Sequence, residues 1–246
     1  MRQVVFWAKV VTCFIWISVV SIVAPLFLLL AHSRHEFLAR LVALWSRGVL
    51  KISGIRVQIE GDKIPDDRAV ILMANHQSGL DILVFSKVTP RRATIVGKRE
   101  LQWIPIIGWI MKLSGAILIN RSDRESAIMQ LREAIHTVAK HKLAVAYTPE
   151  GTRNPQGEKL LPFKKGGFQM AIAGHFPIVP VVCSPLKNIV SFKERKFGPG
   201  TLRLCVLKPI KTEGLTPEDL TSLMESVRNV MVKTFAGLSQ GNFFLH

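Results

Sequence analysis

Cysteine is scarce in this chain and is not arranged for cross-linking or metal binding. The 246 residues include three cysteines, Cys13, Cys183 and Cys205, which lie far apart and form no Cys-x-x-Cys pair. This pattern excludes a disulfide framework and a cysteine-based zinc site. We therefore expect three reduced thiols within the core.

Acidic residues are also few relative to basic ones. The chain has 33 Lys and Arg against 17 Asp and Glu, which gives a net charge of +16. A basic surface suits either nucleic acid or an anionic bilayer. The sequence has no zinc-finger spacing, no aromatic RNA-binding motif and no long basic tail. We expect no nucleic-acid partner, and instead anionic membrane lipid, a phosphorylated substrate, or both.

Formal charge is absent from residues 10–33. This stretch is long enough to cross a hydrocarbon core or to lie within one leaflet. Pro25 would kink or break a helix there, so a single span and a helical hairpin both remain open. A cleaved signal peptide is less favoured, because the stretch is long and no clear Ala-x-Ala site follows it. Arg34, Arg40 and Arg47 follow, which favours a cytoplasmic location for that end.

The remaining sequence has no internal repeats, and its apolar runs alternate between strand and helix patterns. Such alternation predicts an α/β fold with a largely parallel sheet flanked by helices. We expect residues 1–50 to form membrane-anchoring helices, as a membrane-embedded helical hairpin or a span, and residues 51–246 to form the α/β domain. Strands are predicted at residues 54–60, 69–74, 93–96, 115–119, 143–147, 177–183 and 202–207, and helices at 34–53, 80–87, 122–140, 168–174 and after Thr216.

The segment Asn75-His-Gln-Ser-Gly-Leu-Asp81 places a histidine and an aspartate five residues apart, directly after an apolar strand pattern. On one helix the two side chains would point about 140° apart. They can pair if His76 lies in a loop and Asp81 in the first helical turn. A histidine oriented by a carboxylate can take a proton from a hydroxyl near neutral pH. The alternative is a buried histidine and a capping aspartate that never meet.

A second polar segment, Tyr147-Thr-Pro-Glu-Gly-Thr-Arg153, follows the strand pattern at 143–147. The carboxyl ends of parallel strands share one edge of a sheet, so this segment should emerge beside His76. Gly151 would allow close backbone approach to a ligand, and the guanidinium of Arg153 matches phosphate. The alternative, which is less favoured, is that Glu150 forms only an internal salt bridge with Arg153.

Other cations follow strand patterns in the same way. Lys98 follows the strand at 93–96, Arg121 follows the strand at 115–119, and Phe163-Lys-Lys-Gly-Gly167 precedes a helix. A glycine-rich turn into a helix exposes backbone N–H groups to an anion. Together with His76, these groups indicate an anionic substrate whose hydroxyl the histidine deprotonates.

Four ordered blocks resemble those of one enzyme family. Asn-His-x4-Asp at 75–81, Gly-x-x-x-Ile-x-Arg at 115–121, Pro-Glu-Gly-Thr-Arg at 149–153 and Val-Pro-Val at 179–181 match the motifs of the lysophosphatidate acyltransferases. These are 1-acyl-glycerol-3-phosphate O-acyltransferases of the glycerolipid acyltransferase superfamily. The segment beginning at Lys98 resembles the family's Lys-x-x-Glu-Leu stretch. Leu118 and Thr148 stand where the family has aromatic residues, which leaves the acyl-chain contacts in doubt.

The resemblance implies transfer of an acyl group from a thioester to the sn-2 hydroxyl of lysophosphatidic acid, which gives phosphatidic acid for phospholipid synthesis. It implies that His76 and Asp81 are catalytic, without a metal or cofactor. The acyl donor would be acyl-CoA or acyl carrier protein, and the enzyme would lie on the cytoplasmic face of a membrane, the bacterial inner membrane. The implied substrate-binding residues are Lys98, Arg121, Glu150, Gly151, Thr152 and Arg153.

Alternative functions also remain open. The chain could act on a different lysolipid, or bind anionic lipid without catalysis. Gly237-Leu-Ser239-Gln-Gly241 fits a serine-hydrolase motif, but it follows a helix and lacks the later acid, so a hydrolase is disfavoured.

The segment from Trp103 to Trp109 is unusually apolar for a connection between elements. Tryptophan at both ends suits a membrane interface. Ordinary core packing explains the composition equally well.

Overall fold

A computed structural model describes residues 2–28, 34–104, 107–120, 124–155 and 157–240, with the backbone alone described at 24–28, 98, 107 and 124–128. Seven strands form one sheet in the order β1-β9-β6-β2-β5-β3-β4. β2, β3, β4, β5 and β6 run parallel, whereas β9 is antiparallel to β6 and parallel to β1. The predicted largely parallel sheet is confirmed. The strands are β1 (Ile55–Gly61), β2 (Val70–Ala74), β3 (Ala93–Lys98), β4 (Ile117–Ile119), β5 (Ala144–Tyr147), β6 (Ile178–Cys183), β7 (Val190–Ser191), β8 (Lys196–Phe197) and β9 (Gly200–Val206).

The helices follow the predicted pattern closely. They are α1 (Arg2–Leu28), α2 (Arg34–Ser53), α3 (Asp81–Phe85), α4 (Ile107–Leu113), α5 (Arg124–His141), α6 (Gly166–Gly174) and α7 (Leu220–Gln240). A short 3-10 turn, Arg99–Trp103, precedes α4, and another, Pro217–Asp219, precedes α7. The sequence did not predict α4 as a helix, and it missed the small β7–β8 hairpin.

Helices cover both faces of the sheet, as buried parallel strands require. Alternate residues of β2 belong to two separate cores. Leu72 is part of the core that includes residues of α1, α2, α3 and α4, and Ile71 is part of the core that includes residues of α5, α6 and α7. All five residues of β2 are buried. The continuous apolar run at 70–74 reflects this burial on both sides.

α1 packs along α2 through one apolar stripe and exposes the opposite stripe. Phe6, Cys13 and Val20 are buried, whereas Phe14 and Ile22 are about 70% and 71% exposed. Within the described residues, the segment Arg2–Val23 of α1 is long and apolar enough to cross a membrane, a test that a signal sequence would also pass. The helix continues past Pro25, so the expected break is not present there.

α2 belongs to the domain core as well as to the N-terminal helix pair. It contacts β1, α3 and β3 in addition to α1. Trp16 of α1 donates its indole N–H to the carbonyl of Leu44 at 3.2 Å. It also lies so close to Gly48 that any side chain at that position would displace the indole ring. The domain boundary at residue 50 stays a prediction.

The parallel strands β2, β5, β3 and β6 end at the same edge of the sheet, which we call the carboxyl edge. β2 and β5 are neighbours, with Met73 opposite Tyr147, and β2 also pairs with β6, with Ala74 opposite Val181. The chain therefore leaves the sheet at adjacent points just before His76, Thr148 and Ser184. This register brings together segments that are far apart in sequence.

Candidate active site

The side chains of His76 and Asp81 meet at the carboxyl edge. His76 lies in the loop after β2, and Asp81 is the first residue of α3. Their Nδ1 and Oδ2 atoms are 2.8 Å apart. The Oδ2 atom also accepts backbone N–H groups from Gln77 at 2.6 Å and Ser78 at 2.9 Å. Because Nδ1 is engaged by the carboxylate, Nε2 is the ring nitrogen left to accept a proton.

The amide side chains of Asn75 and Gln77, on either side of His76, form hydrogen bonds that connect its loop to the end of β6. Asn75 donates to the carbonyl of Cys183 at 3.1 Å and accepts the N–H of the same residue at 2.8 Å. Gln77 donates to the carbonyl of Ser184 at 3.1 Å and accepts the N–H of Leu186 at 2.9 Å. Both amides are buried. Their pairing with distant backbone groups could not be inferred from local sequence.

The carboxylate of Glu150 accepts a hydrogen bond from the backbone at His76. Its Oε1 accepts the His76 N–H at 2.7 Å, and its Oε2 accepts the Leu161 N–H at 2.9 Å. The residue is 2% exposed, and burial raises the pKa of its carboxyl although the two N–H groups act in the opposite direction. Among the described residues, the contacts of Glu150 are to backbone, and no salt bridge to Arg153 is formed.

The loop 151–154 lies against the His76 loop. Gly151 has a φ of +68°, a left-handed conformation that favours glycine. Asn154 donates its backbone N–H to the carbonyl of His76 at 2.8 Å. Thr152 and Arg153, between these two points, are exposed. Arg153 is therefore exposed to solvent in a loop that bonds to the backbone of His76, at the sheet edge where this segment was expected to emerge.

The other predicted cations are described less completely. Lys98 ends β3 at the carboxyl edge, opposite Ile119 of β4, and only its backbone is described. Arg121 lies outside the described residues. Lys164 donates its backbone N–H to the carbonyl of Pro149 at 2.6 Å, which joins the start of α6 to the Glu150 loop. The roles of all these residues in binding stay predictions.

An apolar cavity of about 190 Å³ opens beside the pair and runs between the sheet and helices α2 and α3. His76 and Asp81 lie in its wall with Thr148, while Leu38, Ala39 and Ala93 belong to its remaining lining. This cavity could not be predicted from the sequence, because its walls come from six separate elements, α2, α3, β2, β3, β5 and β6. Within the described part of the chain, no group of three His, Cys, Asp or Glu residues is placed to hold a metal ion.

The fold and the site define an α/β protein with an oriented histidine at the mouth of an apolar cavity. A family profile described as acyltransferase matches residues 56–184. The chain is 41% identical over 182 residues to the 1-acyl-sn-glycerol-3-phosphate acyltransferase of Saccharomyces cerevisiae. This alignment covers 74% of the chain and 60% of the yeast relative. It is 34% identical over 241 residues to the human 1-acyl-sn-glycerol-3-phosphate acyltransferase beta, an alignment that covers 97% of the chain and 86% of the human relative. The chain belongs to the acyltransferase family, as the ordered motifs indicated.

Two further comparisons bear on bacterial relatives and on the fold. The chain is 31% identical over 204 residues to the 1-acyl-sn-glycerol-3-phosphate acyltransferase of Haemophilus influenzae, with 81% of this chain and 82% of the relative covered. The crystal structure of the LPA acyltransferase PlsC from Thermotoga maritima superposes over both full chains with a TM-score of 0.80 at 24% identity, which establishes the shared fold. The chain spans 60% of the yeast relative's length and 66% of the length of the murine and human alpha relatives.

Proposed function

We propose that this protein transfers an acyl group from a thioester to the sn-2 hydroxyl of 1-acyl-glycerol-3-phosphate, which yields phosphatidic acid. The observation that carries the proposal is the His76–Asp81 pair, 2.8 Å apart, in the wall of an apolar cavity. The names of the yeast, human and Haemophilus influenzae relatives support the same reaction.

The chemistry follows from the orientation of the imidazole ring. Nε2 of His76 takes the proton of the acceptor hydroxyl while Asp81 stabilises the imidazolium. The acceptor oxygen then attacks the thioester carbonyl directly, so that no acyl-enzyme forms. When the tetrahedral intermediate collapses, the C–S bond breaks and the imidazolium returns its proton to the departing thiolate. Backbone N–H groups near Gly79 or Gly151 are candidates to stabilise the oxyanion.

The cavity suits the acyl chain of the donor. Most of its exposed lining surface is apolar, although hydroxyl groups such as that of Thr94 also line it. A hydrocarbon chain buried there gains about 0.8 kcal/mol per CH₂ group. The acyl chain of the acceptor can remain in the membrane leaflet. The thioester carbonyl would then lie at the cavity mouth, within reach of the hydroxyl that His76 activates.

Cations at the carboxyl edge would hold the acceptor phosphate. Arg153 is exposed in the loop that bonds to His76, and we propose that Lys98 and Arg121 join it. Gly151 and Thr152 would contribute backbone contacts. Glu150 would act by holding the His76 backbone in place. No metal or cofactor is required for this mechanism.

The membrane supplies the acceptor. We propose that α1 keeps the protein on the cytoplasmic face of a membrane, the bacterial inner membrane in the simplest case, where an acyl-CoA or acyl carrier protein donor is available. The exposed apolar stripe of α1 and the basic composition of the chain support this placement.

The test is a turnover assay of the purified protein with a panel of lysolipid acceptors and both donor classes. We expect phosphatidic acid with lysophosphatidic acid, strong preference for acceptors that carry a phosphate monoester, and no turnover after His76→Ala. Arg153→Gln should raise KM for the phosphate-bearing acceptor with a smaller effect on kcat. Equal rates with phosphate-free acceptors would indicate a different lysolipid. Binding without turnover by the unmodified protein would make it a lipid-binding protein.

A further inference from the structure

Two tryptophans on the segment after β3 are largely exposed. Trp103, at the end of the 3-10 turn, is 76% exposed, and Trp109 on α4 is 75% exposed. The ammonium of Lys112 lies 5.8 Å from the centroid of the Trp103 ring. Ile104 and Leu113 add exposed aliphatic surface. These five residues, the Trp103 cluster, form the kind of apolar surface that marks a contact site.

A second exposed aromatic group lies on the β7–β8 hairpin. Phe192 is 60% exposed, and its ring lies edge-on to Phe6 of α1, with centroids 5.7 Å apart. Phe6 in turn contacts Trp7, which is itself exposed. The hairpin turn carries three exposed cations and one acidic residue. We call Trp7, Phe192, Lys193, Arg195 and Lys196 the Phe192 cluster.

Both clusters border the carboxyl edge, on opposite sides of His76. The Trp103 cluster begins directly after β3, which ends at that edge. The Phe192 cluster lies between the end of β6 and the start of β9, and since these strands are antiparallel the hairpin belongs to the same edge. In the sheet order, β2 lies between β6 and β3. The histidine loop after β2 is therefore flanked by exposed aromatic and basic side chains.

We propose that the Trp103 cluster and the Phe192 cluster both insert into the headgroup layer of an anionic bilayer. The carboxyl edge of the sheet, with His76, then lies against the membrane surface. Tryptophan prefers the interface between headgroups and acyl chains, and adjacent cations are drawn to anionic lipid. The Phe192 cluster is continuous with the exposed apolar stripe of α1 through the Phe6 contact. The positive charge of both clusters complements an anionic surface. This surface does not depend on which lysolipid the site accepts.

The first experiment measures tryptophan emission from full-length protein on anionic vesicles that contain brominated lipid. The unmodified protein is compared with a Trp103→Phe/Trp109→Phe double variant, so that the difference in emission reports these two rings. We expect brominated lipid to quench the difference emission and aqueous iodide to quench it poorly. The reverse pattern would show that both rings face water and would overturn the proposal. Thermal unfolding checks that the double variant is folded.

The second experiment tests the charges by competition between anionic and neutral vesicles in a flotation assay. Lys193→Ala/Lys196→Ala should lower the preference for anionic vesicles by about fivefold per side chain removed. Lys208→Ala/Lys211→Ala, after β9 at the opposite edge, is the matched control and should change the preference little. Equal effects of the two pairs would refute a specific role for the hairpin.

Self-association is the competing outcome. If sedimentation in detergent shows that the Trp103→Phe/Trp109→Phe variant converts a dimer to a monomer, the Trp103 cluster contacts a second copy of the chain and the bilayer proposal fails. None of these readouts requires turnover. Their failure is therefore distinguishable from failure of the proposed acyltransferase reaction.

Discussion

A single oxygen of Asp81 organises the ring of His76 and the loop that carries it. Oδ2 lies 2.8 Å from Nδ1 of His76 and accepts the N–H groups of Gln77 and Ser78 as well. The oxygen that orients the imidazole ring thus also holds the backbone of the two residues that follow His76. A carboxylate suits this position because it accepts several hydrogen bonds and donates none.

Asp81→Asn should abolish most of the activity. The amide group of asparagine can donate to Nδ1 of His76, which would place the ring proton on Nε2. Nε2 could then no longer take the proton of the acceptor hydroxyl. We expect kcat to fall by about 10²–10⁴-fold with a modest change in KM. Steady-state kinetics with lysophosphatidic acid and a thioester donor check this. Asp67→Asn, at an exposed surface pair with Arg68, is the control, and a similar loss there would contradict the prediction.

Glu150→Gln should destabilise the site through the backbone. One oxygen would be replaced by an NH₂ group that faces a backbone N–H, either of His76 or of Leu161. A buried donor left without an acceptor costs about 1–3 kcal/mol, so we expect a lower free energy of unfolding together with a lower kcat. Chemical denaturation and turnover measure the two effects. Glu158→Gln removes an exposed pair with Lys187 and should leave both unchanged.

His35 should make the protein less stable in acid. The ring is buried, with no hydrogen-bond partner for either nitrogen among the described residues. Burial, with smaller contributions from Arg34 and His141, lowers the pKa of His35 to about 4. The unfolded chain binds the proton more readily than the folded chain does. The stability that the neutral His35 contributes to the fold is therefore fully present above about pH 6.5 and is lost as the pH falls toward 4. The loss amounts to about 3 kcal/mol.

The matching experiment compares denaturant unfolding of the native chain and a His35→Phe variant at several pH values. The variant should show a smaller loss of stability between pH 6.5 and 4, because phenylalanine cannot be protonated. His136→Phe, on the exposed surface of α5, should retain the original pH dependence. An unchanged slope in the His35 variant would show that another group titrates.

Ala39→Phe should restrict the acyl chains that the protein accepts. Ala39 lies on α2 in the lining of the cavity, and a larger ring there would shorten the space available to a hydrocarbon chain. We expect kcat/KM for long-chain thioesters to fall by about tenfold or more relative to short-chain thioesters. Ala139→Phe, exposed on α5, is the control. A uniform loss across chain lengths would indicate damage to folding instead of a change in specificity.

The sequence predicted the histidine–aspartate contact because that contact is local. A loop residue and a first-turn residue five positions apart have few ways to meet, and the apolar strand before them places both at the carboxyl edge. The boundaries of α2 were also predicted correctly, since an amphipathic pattern ends at Gly54. Likewise, the three cysteines are free and buried, as their spacing suggested.

The contacts of Glu150 could not be predicted in this way. Its partner is the backbone N–H of His76, 74 residues away, and the contact depends on the register of β2 with β5. The local sequence also allows a pair with Arg153, and nothing within it excludes that pair. The cavity and the anchoring of Asn75 to Cys183 depend on tertiary register for the same reason. The β7–β8 hairpin has two residues in each strand, too short to produce a periodic pattern.

The burial of all three cysteines also determines how the reaction can be followed. Burial raises the pKa of Cys183 and of Cys205, and buried thiols of this kind react slowly with electrophiles. Acyl transfer from a thioester would release one new thiol per turnover. A colorimetric thiol reagent could therefore be present throughout the reaction and count product molecules, with little background from the protein and little inactivation of it.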